Sequence, residues 1–319
     1  MMSALTTERP AAGPLALIRS GRVKAPGSRR REATANQLFL IPIIAVFVVL
    51  FLIPLGQSFY WSLTDFTGYS TEVTFIGLEN YRQIFTDPSM LAGLSFTLLF
   101  AVATTVVITA LAIPLAVALN KRFTGRNFVR SIFFFPSVPS LALLGLVWSY
   151  ILSPLASGVL NQILAAFGAG PIPWLSDSTL ARVSVITVAV WSAVGWHAVL
   201  YLAYLQSIPA DYYEVATIDG ASSLQQFRYI TLPQLVPAII VSQFLLITGG
   251  LKVFDLPFTL TKGGPGYSTY TITQSIITSG VGQGRYGLAS ALAVSFTVAV
   301  AAISIAQLLL SRRIERSVL

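Results

Sequence analysis

The sequence contains no cysteine and one histidine, His197. The first absence excludes disulfides, thiolate catalysis and cysteine-ligated metals. The second excludes a histidine-rich metal site. Charge is also scarce. Asp, Glu, Lys and Arg make up 10% of the 319 residues, where soluble domains carry roughly 25%. No nucleotide-binding phosphate loop occurs. The Gly263-Gly264-Pro265-Gly266 run lacks the Gly-Lys-Ser/Thr ending, so the chain alone is not expected to hydrolyse ATP. What is abundant is apolar: 55% of the residues are hydrophobic, which places the chain in the membrane class.

The net charge of +8 is unevenly spread. Seven of the twenty basic residues precede position 37, including Arg29-Arg30-Arg31 just before the first apolar run. This is a flank for anionic headgroups rather than for nucleic acid. Residues 1–35 are rich in Ala, Pro, Gly, Ser and Arg without apolar period, and read as a disordered, basic cytoplasmic tail. The apolar run from Gln37 to Leu63 is longer than a typical ~7–15-residue signal core and has no clear cleavage site after it. It reads as an uncleaved signal anchor.

A helix needs roughly 20 mostly apolar residues to cross a bilayer. Six stretches qualify: 37–62, 91–119, 129–152, 183–205, 233–251 and 288–311. Residues 36–319 thus form an all-α integral membrane domain. With both termini in the cytoplasm, 15 basic residues lie inside and 5 outside, the bias expected of that orientation. Trp61, Trp148 and Trp174 then fall near outer ends, where amphipathic rings prefer the interface.

The most informative polar stretch, 207–232, lies between the fourth and fifth spans. Pro209 can begin a helix. Asp211 and Glu214 suit the positive end of its dipole. Tyr212, Val215, Ala216 and Ile218 recur at helical spacing, and Gly220 can end the helix. Ser222 or Ser223 can cap a second helix, with Gln225 or Gln226 three residues on. Leu224, Phe227, Ile230 and Leu232 give that helix an apolar side. Two readings stand on geometry alone: a mechanical coupler for a soluble partner, or an amphipathic connector on the membrane surface.

The pattern Tyr213-Glu214-x-Ala216-x-x-Asp219-Gly220-Ala221, followed by Phe227, Ile230, Leu232-Pro233 and Pro237, resembles the EAA motif of bacterial ABC importer permeases. Val215 stands where that family often has Ala. Phe75-Ile76-Gly77-Leu78-Glu79-Asn80-Tyr81, Phe134-Phe135-Pro136, Leu260-Thr261-Lys262-Gly263-Gly264-Pro265-Gly266 and Tyr286-Gly287-Leu288-Ala289-Ser290-Ala291 resemble further segments of the carbohydrate type. They are similar to the first permease of the pair in the maltose/glycerol-3-phosphate branch. The resemblance implies a type I (MetI-like) permease fold in a bacterial inner membrane. It implies a second, non-identical permease, two ATPase subunits that hold ATP and magnesium, and an extracytoplasmic binding protein that delivers a sugar. No cofactor is expected in this chain. It also implies that Tyr213, Glu214, Ala216, Asp219, Gly220 and Ala221 dock the ATPase.

The spans carry no Asp, Glu, Lys or Arg away from their ends. Ion-coupled transporters usually keep such groups at mid-membrane, so energy is expected from outside the bilayer, and the solute is expected to be neutral or to have its charge handled by partner chains. Candidates for the substrate path are Trp196, His197 and Tyr201 in the fourth span, Gln243 in the fifth, and Phe254 and Asp255 beyond Gly249-Gly250, where the helix is expected to break. For each, packing against a neighbouring helix is the competing reading. For Lys252 and Asp255 it is a local ion pair. Asn120 and Asn161 read as helix-end residues. An ion-coupled secondary transporter is the alternative function, and a membrane-embedded enzyme a more distant one.

Overall fold

A computed structural model describes residues 40–70 and 72–318. The basic tail 1–35 lies outside the described residues. The described chain is helical, and its one isolated β-bridge joins Thr64 to Phe75. It divides after Leu55 into two units. The first ends within α1 (Leu40–Trp61), an apolar helix long enough to cross a membrane.

The second unit contains α2 (Glu79–Ile84), α3 (Pro88–Asn120), α4 (Arg126–Phe134), α5 (Leu141–Ile151), α6 (Val159–Ala166), α7 (Ser178–Leu205), α8 (Asp211–Ile218), α9 (Ser223–Gln226), α10 (Val236–Leu251), α11 (Asp255–Thr261) and α12 (Tyr286–Val318). The long helices start where their caps dictate. Asp87 accepts from the N–H of Ser89 (2.8 Å) and Met90 (3.4 Å), with Pro88 in the first turn. Asp177 caps α7 the same way, through Thr179 and Leu180. These caps start α3 and α7 at 88 and 178, ahead of the expected 91 and 183.

Helices α3, α7 and α10 pack around one core. Ile108, Ala112 and Ala116 meet Ala198, Tyr201, Leu202 and Leu205, with Leu235, Ala238 and Leu246. A second cluster joins Phe96 and Phe100 to Val185, Val188, Leu256 and Leu260. Small residues permit the close approach. A Cβ on Gly250 would stand 2.8 Å from the Cα of Ala101, and one on Gly195 only 1.7 Å from the carbonyl oxygen of Phe133.

Two expected spans are not straight. The third is bent by 91° between Arg126–Ser137 and Leu141–Ile151. Pro136 and Pro139 lie at the break, where a missing N–H and ring crowding interrupt the helix. Phe134-Phe135-Pro136 therefore lie at the close of its first half. The fifth is bent by 64° between Ser223–Gln234 and Val236–Leu251. Among the described residues, four helices are long and apolar enough to cross a membrane unbroken, and up to six crossings result if each bent pair is one span.

Candidate functional site

The element between α7 and α10 takes the expected form. Helix α8 begins at Asp211 rather than at Pro209, because the Ala210 carbonyl is the first acceptor, from Tyr213 and Glu214. It ends in a Schellman motif. Ala221 N–H donates to the Ala216 carbonyl (2.9 Å), Gly220 N–H to that of Thr217 (3.1 Å), and Gly220 takes φ +79°. Helix α9 opens with a capping box. Gln225 N–H donates to Ser222 Oγ, and Ser222 N–H to Gln225 Oε1. The two helices are tied together and to the fifth span. Gln226 Nε2 donates to Thr217 Oγ1 (3.1 Å), and the hydroxyls of Tyr213 and buried Thr231 share a hydrogen bond of 3.0 Å. Phe227 packs on the α3–α7–α10 core.

The expected docking residues thus divide into two groups. Tyr213, Ala216, Gly220 and Ala221 build the frame. Glu214 and Asp219 are exposed beside a row of apolar side chains: Tyr212, Val215, Ile218 and Leu224. Ile218 is 84% exposed and Leu224 74%. Helical spacing marks Tyr212, Val215 and Ile218 as one face of α8 in the sequence, and Leu224 stands on α9. That nothing among the described residues covers them is visible only in the fold.

At mid-span, His197 is buried and its Nδ1 lies 2.8 Å from the Oγ of buried Ser242, which links α7 to α10. The Trp196 ring meets it edge-on at 4.8 Å. Both residues line a cavity of about 200 Å³ with Pro136, Ser137, Pro139 and Ser192, at the break of the third span. A neighbouring cavity of about 220 Å³ is lined by Phe100, Thr104, Ser192, Gly249 and Gly250, among others, and shares Leu141, Ser192 and Ala193 with the first. His197 is the one ionisable lining residue in either.

The other path candidates are scattered. Tyr201 is wholly buried in the core. Gln243 is half-buried and lines neither cavity. Helix α10 runs through Gly249-Gly250 and ends at Leu251 with Lys252 as its C-cap. Phe254 stacks on Phe258 at 4.9 Å. Exposed Asp255 begins α11, and among the described residues it forms no ion pair with Lys252. The local pair expected there is replaced by two separate helix ends. Lys262 instead places its Nζ over the Phe258 ring at 4.5 Å.

The remaining motifs are structural junctions. Asn80 Nδ2 donates to the carbonyls of Ser62 (3.0 Å) and Thr64 (2.8 Å), Gly287 N–H donates to Phe66 (2.8 Å), and Arg285 reaches Gln83 Oε1 (2.7 Å). The two signature segments at 75–81 and 286–291 therefore meet. Asn120 ends α3 as expected. Asn161, near the start of α6, is a buried hub. It donates to Ser153, Leu155 and Ile172 carbonyls and accepts from Ile172 N–H and Trp174 Nε1.

Residues 108–316 match the model of binding-protein-dependent transport system inner membrane components. The chain is 36% identical to a probable ABC transporter permease, YurN, of Bacillus subtilis over 85% of its length and 94% of the relative's. It is 32% identical to AmyD of Thermoanaerobacterium thermosulfurigenes, a probable permease of a transport system for starch degradation products, over 87% and 94%. Among solved structures it resembles a bacterial alginate ABC transporter in complex with an alginate-pentasaccharide-bound periplasmic protein. The TM-score is 0.78 and the identity 25%, over 90% of this chain and 97% of the other. The chain is an integral membrane protein and belongs to the family of binding-protein-dependent transport system inner membrane components.

Proposed function

We propose that this chain is one permease subunit of an ATP-driven importer for a sugar or oligosaccharide, working by alternating access in a bacterial inner membrane. Both termini and the 207–232 element face the cytoplasm. Two ATPase subunits close on ATP and magnesium and pull on that element. A second permease completes the path, and an extracytoplasmic binding protein delivers the solute. Relatives and a solved neighbour named for starch products and alginate support a carbohydrate.

The observation that carries the coupling is the pairing of an uncovered apolar face with a stiff frame. Tyr212, Val215, Ile218 and Leu224 are exposed, while Tyr213, Thr231 and Gln226 tie their helices to the fifth span. Force on the face is therefore passed to α7 and α10. Helix α7 lines both cavities at the broken third span, and α10 lines one of them. Trp196 and His197 offer a ring surface and a polar atom there, as a neutral sugar requires. An ion-coupled transporter has no support from the family the chain belongs to.

The test is to measure uptake and ATP hydrolysis together in reconstituted complexes of two variants. In Gly220→Pro, proline's φ of about −65° is incompatible with +79°. In Ala216→Arg, a bulky charge enters the frame. Both are expected to lose uptake while the ATPase subunits still turn over. Normal uptake in both would remove the element from the mechanism.

A further inference from the structure

The α3–α4 turn carries a concentrated charge that the importer reading does not use. Lys121, Arg122, Arg126 and Arg130 fall within ten residues, and no Asp or Glu occurs between Asp87 and Asp177. Among the described residues no carboxylate forms an ion pair with any of the four. Arg130 is committed elsewhere: its guanidinium donates to the Leu119 carbonyl (2.9 Å), at the negative end of α3. Arg122 and Arg126 have no such partner. With Phe123, Gly125, Asn127 and Phe128 they line an open cavity of about 370 Å³.

An apolar surface adjoins this cavity. Phe128 is 70% exposed and Phe123 44%, and Ile132 continues the same side of α4 at 53%. In a chain built to sit in a bilayer, a cationic cavity edged by uncovered aromatic and aliphatic side chains matches one kind of ligand. It needs a phosphate for the guanidiniums and a hydrocarbon chain for the rings. A soluble phosphate would leave the apolar rim exposed. A neutral lipid would leave two guanidiniums without a counter-charge.

We propose that the cavity between Arg122 and Arg126 binds the phosphodiester headgroup of an anionic phospholipid, with the acyl chains lying along Phe123, Phe128 and Ile132. The site lies on the cytoplasmic side in the proposed orientation. Its lining residues belong neither to the 207–232 element nor to the mid-span cavities.

The experiment uses the purified full-length chain in neutral detergent, titrated with phosphatidylglycerol or phosphatidylcholine and read by native mass spectrometry. The double variant Arg122→Gln/Arg126→Gln is expected to bind its first phosphatidylglycerol about 30-fold more weakly, the effect of two surface cations. Arg122→Lys/Arg126→Lys keeps the charge and should stay within about fivefold of the natural chain. Phe128→Ser should weaken phosphatidylglycerol as well, because the apolar rim is lost. The N-terminal basic tail is present in every variant, so its contribution cancels. Unchanged phosphatidylglycerol binding in a folded double variant, verified by its thermal unfolding, would overturn the proposal. So would equal retention of phosphatidylcholine, or displacement of the lipid by millimolar inorganic phosphate, which would assign the cavity to a soluble anion.

Discussion

Two segments of this chain are built from the same parts, short helices joined at glycine between long spans, and they use them in opposite ways. The 207–232 element turns its apolar side chains out: Ile218 and Leu224 are among the most exposed large hydrophobic residues described. The 255–284 segment turns polar side chains in. Thr269 and Ser275 are wholly buried, and Ser268, Tyr270, Thr271 and Gln274 nearly so. Its interior is held by hydrogen bonds. Thr261 and Thr269 share one at 2.6 Å, Gln274 Nε2 donates to the Lys262 carbonyl (2.9 Å), and Tyr270 OH meets Thr278 and Ser279. Arg182 and Thr97 anchor it to the neighbouring helices through Ser268 and Ile272. One segment is held by hydrogen bonds within this chain, and the other offers an apolar surface to a partner. Substitutions should therefore damage stability in the first and leave it intact in the second.

The largest loss of stability is expected at Gly263, where φ is +88° and a Cβ would stand 2.6 Å from the Tyr270 ring and 2.9 Å from the Gln274 amide. Gly263→Ala should cost about 2–4 kcal/mol, through left-handed backbone strain and overpacking. Thermal unfolding in detergent measures this. A cost below about 0.5 kcal/mol, the range of neutral surface changes, would mean that the segment is not tightly packed.

A smaller loss is expected at mid-span. Ser242→Ala removes the partner of His197 Nδ1 in a buried site, and such an unpaired group costs about 1–3 kcal/mol. Unaltered melting would indicate that the His197–Ser242 contact contributes nothing.

Smaller still is the α3 cap. Asp87→Ala should cost about 1 kcal/mol. Hydrogen bonds from the Ser89 side chain, and then from the Ser89 and Met90 N–H groups, hold the Asp87 carboxyl below its usual range, against a partial opposing effect of burial. Its folded-state pKa is depressed, so the cap stabilises fully above the unfolded carboxylate value and is lost as pH falls through the lowered one. The difference in melting temperature between the natural chain and Asp87→Ala should shrink at acidic pH. A constant difference would contradict the cap.

Much of the frame is legible in the sequence because its determinants are local. The Gly220 bend and the Ser222–Gln225 capping box each rest on a few consecutive residues, whereas the caps at Asp87 and Asp177 are just as local but polar, so apolar runs alone place those helix starts at 91 and 183. The break in the third span was written in Pro136 and Pro139, yet apolar composition alone makes 129–152 look continuous. The Lys252–Asp255 pair fails because the two charges belong to different helix ends. The hub role of Asn161 is invisible locally, since its partners are drawn from a loop that closes over it. Nor does the sequence say that Tyr201 faces the core rather than a path, because an aromatic on a helical face suits both.

The smallest stability effect belongs to Ile218, and it tests the central claim most directly. Ile218→Asp places a charge on a side chain that is 84% exposed, and should change stability by no more than about 0.5 kcal/mol. The measurement is a gentle affinity purification of the tagged chain from its native membrane, natural and variant side by side, with the co-purifying ATPase quantified. The coupling account predicts an ATP-hydrolysing subunit retained by the natural chain and lost from the folded variant. Equal retention by both, or no ATPase with the natural chain, would contradict it.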